Sequence, residues 1–296
     1  MAIVVMGSLL AACRGPATST SGRLKVVATF SILGDITRQV AGDNVELRTL
    51  VGPDGDTHTF EPIPADAVAL ANANLIFEDG LGFETWLDKL YTASDSKALR
   101  VVVTNGIQPG QIGIGDEAGS TDPHAWQDVS YGMLMATIIR DTLVAQDPPH
   151  AAAYQANAAT YLAQLQTLDA DIQQQANSLP PERRKLVTNH DALGYFARRY
   201  GFEVVGSALG SVSTEASEPS AAELARLTEE IRGAGVPAIF TENIENDAVI
   251  RQVADEAGVK VAPPLYTDAL GLPGTEGDSY IKMMRYNIET IVEALK

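Results

Sequence analysis

His150-Ala-Ala-Ala-Tyr154-Gln-Ala-Asn-Ala158-Ala-Thr-Tyr161-Leu-Ala-Gln-Leu165-Gln-Thr-Leu168-Asp-Ala-Asp-Ile172-Gln-Gln-Gln-Ala-Asn-Ser-Leu179 is the stretch around which the chain is organised. It holds neither Gly nor Pro. Tyr154, Ala158, Tyr161, Leu165, Leu168 and Ile172 recur at alternating spacings of four and three, which is one apolar stripe on a helix. At about 1.5 Å per residue such a helix extends roughly 45 Å. That is long for a helix inside one small domain and suited to bridging two. The stripe also fits a coiled-coil seam, but it lasts only three heptads. Packing along two lobes of one molecule is the better reading, and a monomer is expected.

On both sides of this helix, β-rich runs alternate with helical ones. Upstream, Leu24–Thr29, Val45–Val51, Asn74–Glu78 and Ala98–Thr104 read as strands. Phe30–Ala41, Pro64–Ala73, Phe83–Leu90 and Ser130–Ala145 read as helices. After Pro180-Pro181 the alternation restarts. Lys185–Thr188, Phe202–Val205, Pro237–Thr241 and Val259–Ala262 are strand-like, and Ala192–Tyr200, Ser220–Gly233, Asp247–Ala257 and Asp278–Leu295 are helical. Such alternation predicts an α/β fold with mostly parallel sheets. The expected organisation is an N-terminal lobe over 23–147, a linking helix over 148–180 and a C-terminal lobe over 181–296. Asn105–Asp122 is rich in Gly, lacks periodicity and reads as a mobile surface loop. Its Gly113-Ile-Gly115 is no phosphate loop, because the strand and Gly-Lys-Ser/Thr context is missing.

The 296 residues carry a formal charge of −17. This excludes a basic face for nucleic acid and charge-driven docking on an anionic membrane. The single cysteine, Cys13, excludes an intramolecular disulfide and a cysteine zinc finger. Residues 1–12 form a short apolar run ending in small residues, as in a secretory signal. They are too few to span a bilayer, which takes about 20 apolar residues. Leu10-Ala11-Ala12-Cys13 is similar to a bacterial lipobox, in which the cysteine becomes the lipidated first residue. Residues 14–22 then read as a flexible tether, although no Lys or Arg precedes the apolar run.

Histidine is scarce: there are four. His58, His124 and His190 stand in short runs of turn residues at apparent strand or loop ends, and neutral imidazole is a common ligand of zinc and related metals. In open α/β sheets, ligands bind at the carboxyl ends of strands. His58 and His124 from the first lobe and His190 from the second would therefore meet in the cleft between lobes. Asp268, after the strand Val259–Ala262, is the best-placed fourth ligand, completing a four-coordinate His3Asp set. Trp126, beside His124, could shield the metal, and Glu61 or Asp191 could orient a ligand imidazole.

Several runs resemble signatures of one family. They are Asp56-Thr-His58-Thr-Phe-Glu61-Pro62, Asp122-Pro-His124-Ala-Trp126, Asn189-His190-Asp-Ala-Leu-Gly-Tyr195-Phe196, Glu218-Pro-Ser220 and Tyr266-Thr-Asp268. Together they resemble the cluster A-I metal-binding solute-binding lipoproteins, the zinc and manganese receptors of ABC importers. The resemblance implies two α/β lobes on a rigid helix, with His58, His124, His190 and Asp268 as ligands. It also implies lipid anchoring outside the cytoplasmic membrane and an ABC permease as partner. A histidine at position 190 points to Zn2+ rather than Mn2+ as cargo, in line with the preference of manganese for oxygen donors. The histidine-rich loop common in the zinc subgroup is absent from Gln108–Thr121. A zinc hydrolase is the competing class, but no His-Glu-x-x-His motif or general base stands out. A surface adhesin is the third reading.

Overall fold

The computed structural model describes residues 22–111, 119–215, 219–244 and 246–296. In the first lobe, β1 (Leu24–Phe30), β2 (Val45–Val51), β3 (Leu75–Glu78) and β4 (Leu99–Val102) form a parallel sheet in the order β2-β1-β3-β4. Val27 lies opposite both Arg48 and Ile76. The buried runs of β1 and β3 are those of strands covered on both faces. Helices α1 (Ser31–Ala41), α2 (Pro64–Asn72) and α3 (Leu87–Ala93) connect the strands. The third helix starts four residues later than the periodicity suggests. Gly80, Leu81 and Gly82 all have positive φ, and the Glu84 carboxylate accepts from the backbone N–H groups of Asp79 and Gly80. That local bonding makes the segment a turn rather than a first helical turn.

The second lobe repeats this topology. Strand β7 (Lys185–Thr188) pairs in parallel with β8 (Glu203–Ser207), and β9 (Ala238–Glu242) pairs with β10 (Lys260–Leu265). Strand β7 runs beside β9, so the spatial order β8-β7-β9-β10 matches that of the first lobe. Helices α6 (Gly194–Tyr200), α7 (Ala221–Ala234), α8 (Ala248–Ala257) and α9 (Tyr280–Leu295) complete it. In each lobe the strand order reverses beside the first strand, which opens a crevice at the strands' carboxyl ends.

Between the lobes, α4 (Val129–Gln146) leads through a 3-10 turn at Pro148–His150 into α5 (Ala151–Ala176). The linking helix has 26 residues, a length of about 39 Å. Pro180 and Pro181 follow its end, where a helix cannot continue. All six stripe residues are buried, and α5 packs on α1, α4 and α9. The last helix, α9, also lies against β10 and α1. One apolar core therefore runs from β1 through α5 to α9, with a smaller one beneath α7 and α8. The lobes are joined by two helices packed side by side, not by α5 alone.

The Gly-rich region departs from expectation at its flanks. Strands β5 (Gly110–Gln111) and β6 (Thr121–Asp122) pair antiparallel there, although the sequence suggested no regular structure. Residues 112–118, the heart of the expected mobile loop, lie outside the described residues, as do the signal-like run and Cys13. No helix among the described residues is long and apolar enough to cross a membrane.

Candidate metal centre

His58 follows β2 through a tight turn. The carboxylate of Asp56 accepts from the His58 backbone N–H at 2.9 Å and from Thr59 Oγ1 at 2.8 Å. The other end of the turn is pinned by Trp86, whose Nε1–H donates to the Thr57 carbonyl at 2.9 Å. His124 is set by Asp122, two residues before it. Asp122 Oδ1 accepts from the His124 backbone N–H at 2.9 Å and lies 2.8 Å from Nδ1. Gly194 makes this possible from the second lobe, since a Cβ there would come within 2.5 Å of Asp122 Oδ2. His190 follows β7, and its Nδ1 lies 2.7 Å from Glu242 Oε2 at the end of β9. Asp268 lies beyond β10, next to Thr267, whose carbonyl accepts from Trp126 Nε1–H and the Gln127 amide, each at 2.8 Å.

These elements bring all four sequence-predicted side chains together. Nε2 of His58 is 3.1 Å and Nε2 of His190 is 3.0 Å from Asp268 Oδ2, and Nε2 of His124 is 3.6 Å from Asp268 Oδ1. One donor atom from each residue lies within 4.8 Å of the others, and all four residues are buried. A tetrahedral ion with bonds of 2.0–2.1 Å spaces its donors about 3.3–3.4 Å apart. The nitrogen–oxygen separations bracket that value. His124 Nε2 and Asp268 Oδ1 are buried without a hydrogen-bond partner, which ordinarily costs about 1–3 kcal/mol each. A cation bound between them would satisfy both.

The surroundings are apolar. Phe30, Phe83 and Trp126 contact one another with ring centroids 4.7–5.0 Å apart. Phe83 meets the His58 ring edge-on at 4.9 Å, and Trp126 meets His124 at 5.4 Å. In this setting charges are strongly coupled. Burial by itself would lower the His124 imidazole, but Asp268 and Asp122 outweigh it and raise it to about 9. Burial likewise opposes charging of His190, yet Glu242 and Asp268 drive it well above the usual range. Burial would raise Asp268, and the His124 and His190 imidazoles instead hold it well below the carboxylate range. Asp79, fully buried after β3, goes the other way. Burial, then Glu84, Asp122 and Asp268, push its carboxyl well above its usual value.

The other expected residues fall out differently. Trp126 is fully buried and in ring contact with His124. Glu61 is exposed. Asp191 is buried beside His190, with its carboxyl pushed up to about 6 by burial against the pull of Ser207 and His190. The carboxylates at the imidazole Nδ1 atoms are Asp122 and Glu242, which sequence reasoning missed. Asp122 was legible in its Asp-Pro-His run. Glu242 lies 52 positions from His190, and only the adjacency of β9 to β7 brings it near.

Comparisons with known proteins agree with this geometry. The family described as zinc-uptake complex component A, periplasmic, matches residues 26–294. The manganese-binding lipoprotein MntA of Halalkalibacterium halodurans is 35% identical, over 99% of this chain and 96% of its own. The manganese ABC transporter substrate-binding lipoprotein PsaA of Streptococcus pneumoniae is 33% identical over the same shares. Among solved structures, the periplasmic zinc-binding protein TroA from Treponema pallidum superposes with a TM-score of 0.85 at 35% identity, covering 93% of this chain and 99% of its own. The chain therefore belongs to the zinc-uptake complex component A family, the extracytoplasmic metal-binding receptors of ABC importers.

Proposed function

We propose that this protein captures a divalent transition-metal ion through His58, His124, His190 and Asp268 and delivers it to an ABC permease. The observation that carries the reading is the convergence of four buried donor atoms from both lobes. Three imidazoles and one carboxylate favour Zn2+, and the Irving–Williams order strengthens that preference at a nitrogen-rich site. A divalent ion with one carboxylate leaves the complex a formal charge of +1, which the nearby carboxylates of Asp122 and Glu242 offset. Manganese is the second reading. Asp268 turns both oxygens toward the imidazoles, Oδ1 toward His124 and Oδ2 toward His58 and His190, which suits a larger, oxygen-preferring ion. The matching relatives named for manganese support the same reading.

The hydrolase and adhesin readings find no support in this family of solute-binding proteins. The protein acts as a monomer, held at the membrane by a lipid on Cys13. Changing Cys13 to serine should release it in soluble form, and unchanged membrane association would end the anchoring idea. Metal content of protein purified without added metal, followed by competitive titration of Zn2+ and Mn2+, tests the receptor reading. A single tight site lost in His124→Ala is expected. Retention of that site at wild-type affinity would remove His124 from the ligand set.

A further inference from the structure

One buried acid of the second lobe has no part in the ligand set. Glu242 closes β9 and is 3% exposed. Its Oε1 accepts the backbone N–H of Asn189 at 2.9 Å and that of His190 at 3.0 Å. Its Oε2 accepts from Thr267 Oγ1 at 2.8 Å and lies 2.7 Å from His190 Nδ1, with the ring N–H off the ideal line. All four neighbours can be donors. A carboxylate only accepts, and two oxygens can serve all four; an amide would turn its NH2 group toward two of them. For His190 this arrangement holds a ring proton on Nδ1 and makes Nε2, 3.0 Å from Asp268 Oδ2, the nitrogen that gives up its proton to a metal. Thr267 also immediately precedes Asp268, and its carbonyl holds Trp126 and Gln127 in the turn after His124. One carboxylate thus ties together the loops of three of the four proposed ligands.

We propose that Glu242 is the positioning residue of the metal centre: it fixes His190 in the Nδ1–H tautomer and sets the spacing between His190 and Asp268. The proposal rests on the metal-receptor reading. Partners of this kind orient metal-bound imidazoles, and losing one typically weakens metal binding about 10- to 100-fold. A carboxylate that merely held the β7 loop in place would have no bearing on which ring nitrogen meets the metal.

The test uses the whole protein loaded with Zn2+ and labelled with 15N in its imidazoles. Long-range proton–nitrogen correlation should show His190 protonated at Nδ1 and metal-bound through Nε2. Competition with a chelator should give Glu242→Gln a Zn2+ affinity about 10- to 100-fold below wild type. Metal coordination of wild-type His190 through Nδ1 would overturn the proposal. So would a Glu242→Gln protein with wild-type circular dichroism and wild-type Zn2+ affinity. If that variant does not fold, the wild-type spectrum alone decides. A wild-type protein that takes up no Zn2+ would overturn the receptor reading itself, and this inference with it.

Discussion

Replacing His190 by glutamate separates the electrostatics of the site from its choice of metal. The imidazole Nδ1 lies 2.7 Å from Glu242 Oε2. A carboxylate at position 190 loses that N–H and faces a second carboxylate in a fully buried place. Two such charges about 4 Å apart repel by about 4 kcal/mol at an effective dielectric near 20. That is up to about a thousand-fold in affinity, at about 1.4 kcal/mol per factor of ten, and it is an upper bound because a shared proton relieves it. In the metal-free protein the pair escapes this repulsion by holding a proton, which either metal must displace, so Zn2+ and Mn2+ are weakened alike. The exchange of a nitrogen donor for an oxygen donor does not cancel, and it penalises zinc more. We therefore expect both affinities to fall in His190→Glu and the zinc-over-manganese ratio to narrow without inverting. Placing Glu242→Gln in the same chain should shrink the common loss and leave the narrowed ratio, which is the signature of coupling between the two positions. Competitive titration of both metals into wild type, each single variant and the double variant is the assay. An unchanged ratio would show that position 190 does not set selectivity. Wild-type affinity in His190→Glu would refute the argument from Glu242.

Three further outcomes follow from the same geometry. Metal binding needs neutral imidazoles, so with His124 raised to about 9 and His190 raised well above its usual range in the metal-free protein, affinity should rise with pH until those protons are gone. Near pH 7 metal uptake should release protons, counted by calorimetry in buffers of different ionisation enthalpy; zero release would contradict the charge assignment. Leu168→Ala, in the buried stripe of α5, should destabilise the protein by about 2–5 kcal/mol in denaturant titrations, as other core truncations do. Small-angle scattering of metal-free and metal-bound protein should show no lobe rotation of tens of degrees, because α5 and α9 pack together along both lobes; a large change in radius of gyration would overturn that.

The loop beyond β10 that carries Asp268 is held firmly. It is tied on both sides: the Thr267 carbonyl holds Trp126 and Gln127, Leu270 N–H donates to Ser31 Oγ, and its carbonyl accepts from Asp54 N–H. Across the cleft, Thr214 Oγ1 donates to Asp56 Oδ2 at 2.6 Å.

Because periodicity and chain punctuation are local, the sequence by itself determined most of the secondary elements, though not the short pair β5 and β6. The stripe of α5 and the strands β2 and β7 stand where their residues said they would, and the shifted start of α3 is a place where side-chain bonds to the backbone overrode the pattern. It also singled out the four donors, since scarce histidines in turns after strands have few other uses. Only the tertiary structure decided what surrounds them. That Glu242 reaches His190, that Thr267 reaches Trp126, and that α9 returns to brace α5 are consequences of strand order and helix packing between residues far apart in the chain. No local pattern encodes those distances, because hydrogen bonding and burial act through space and not along the sequence.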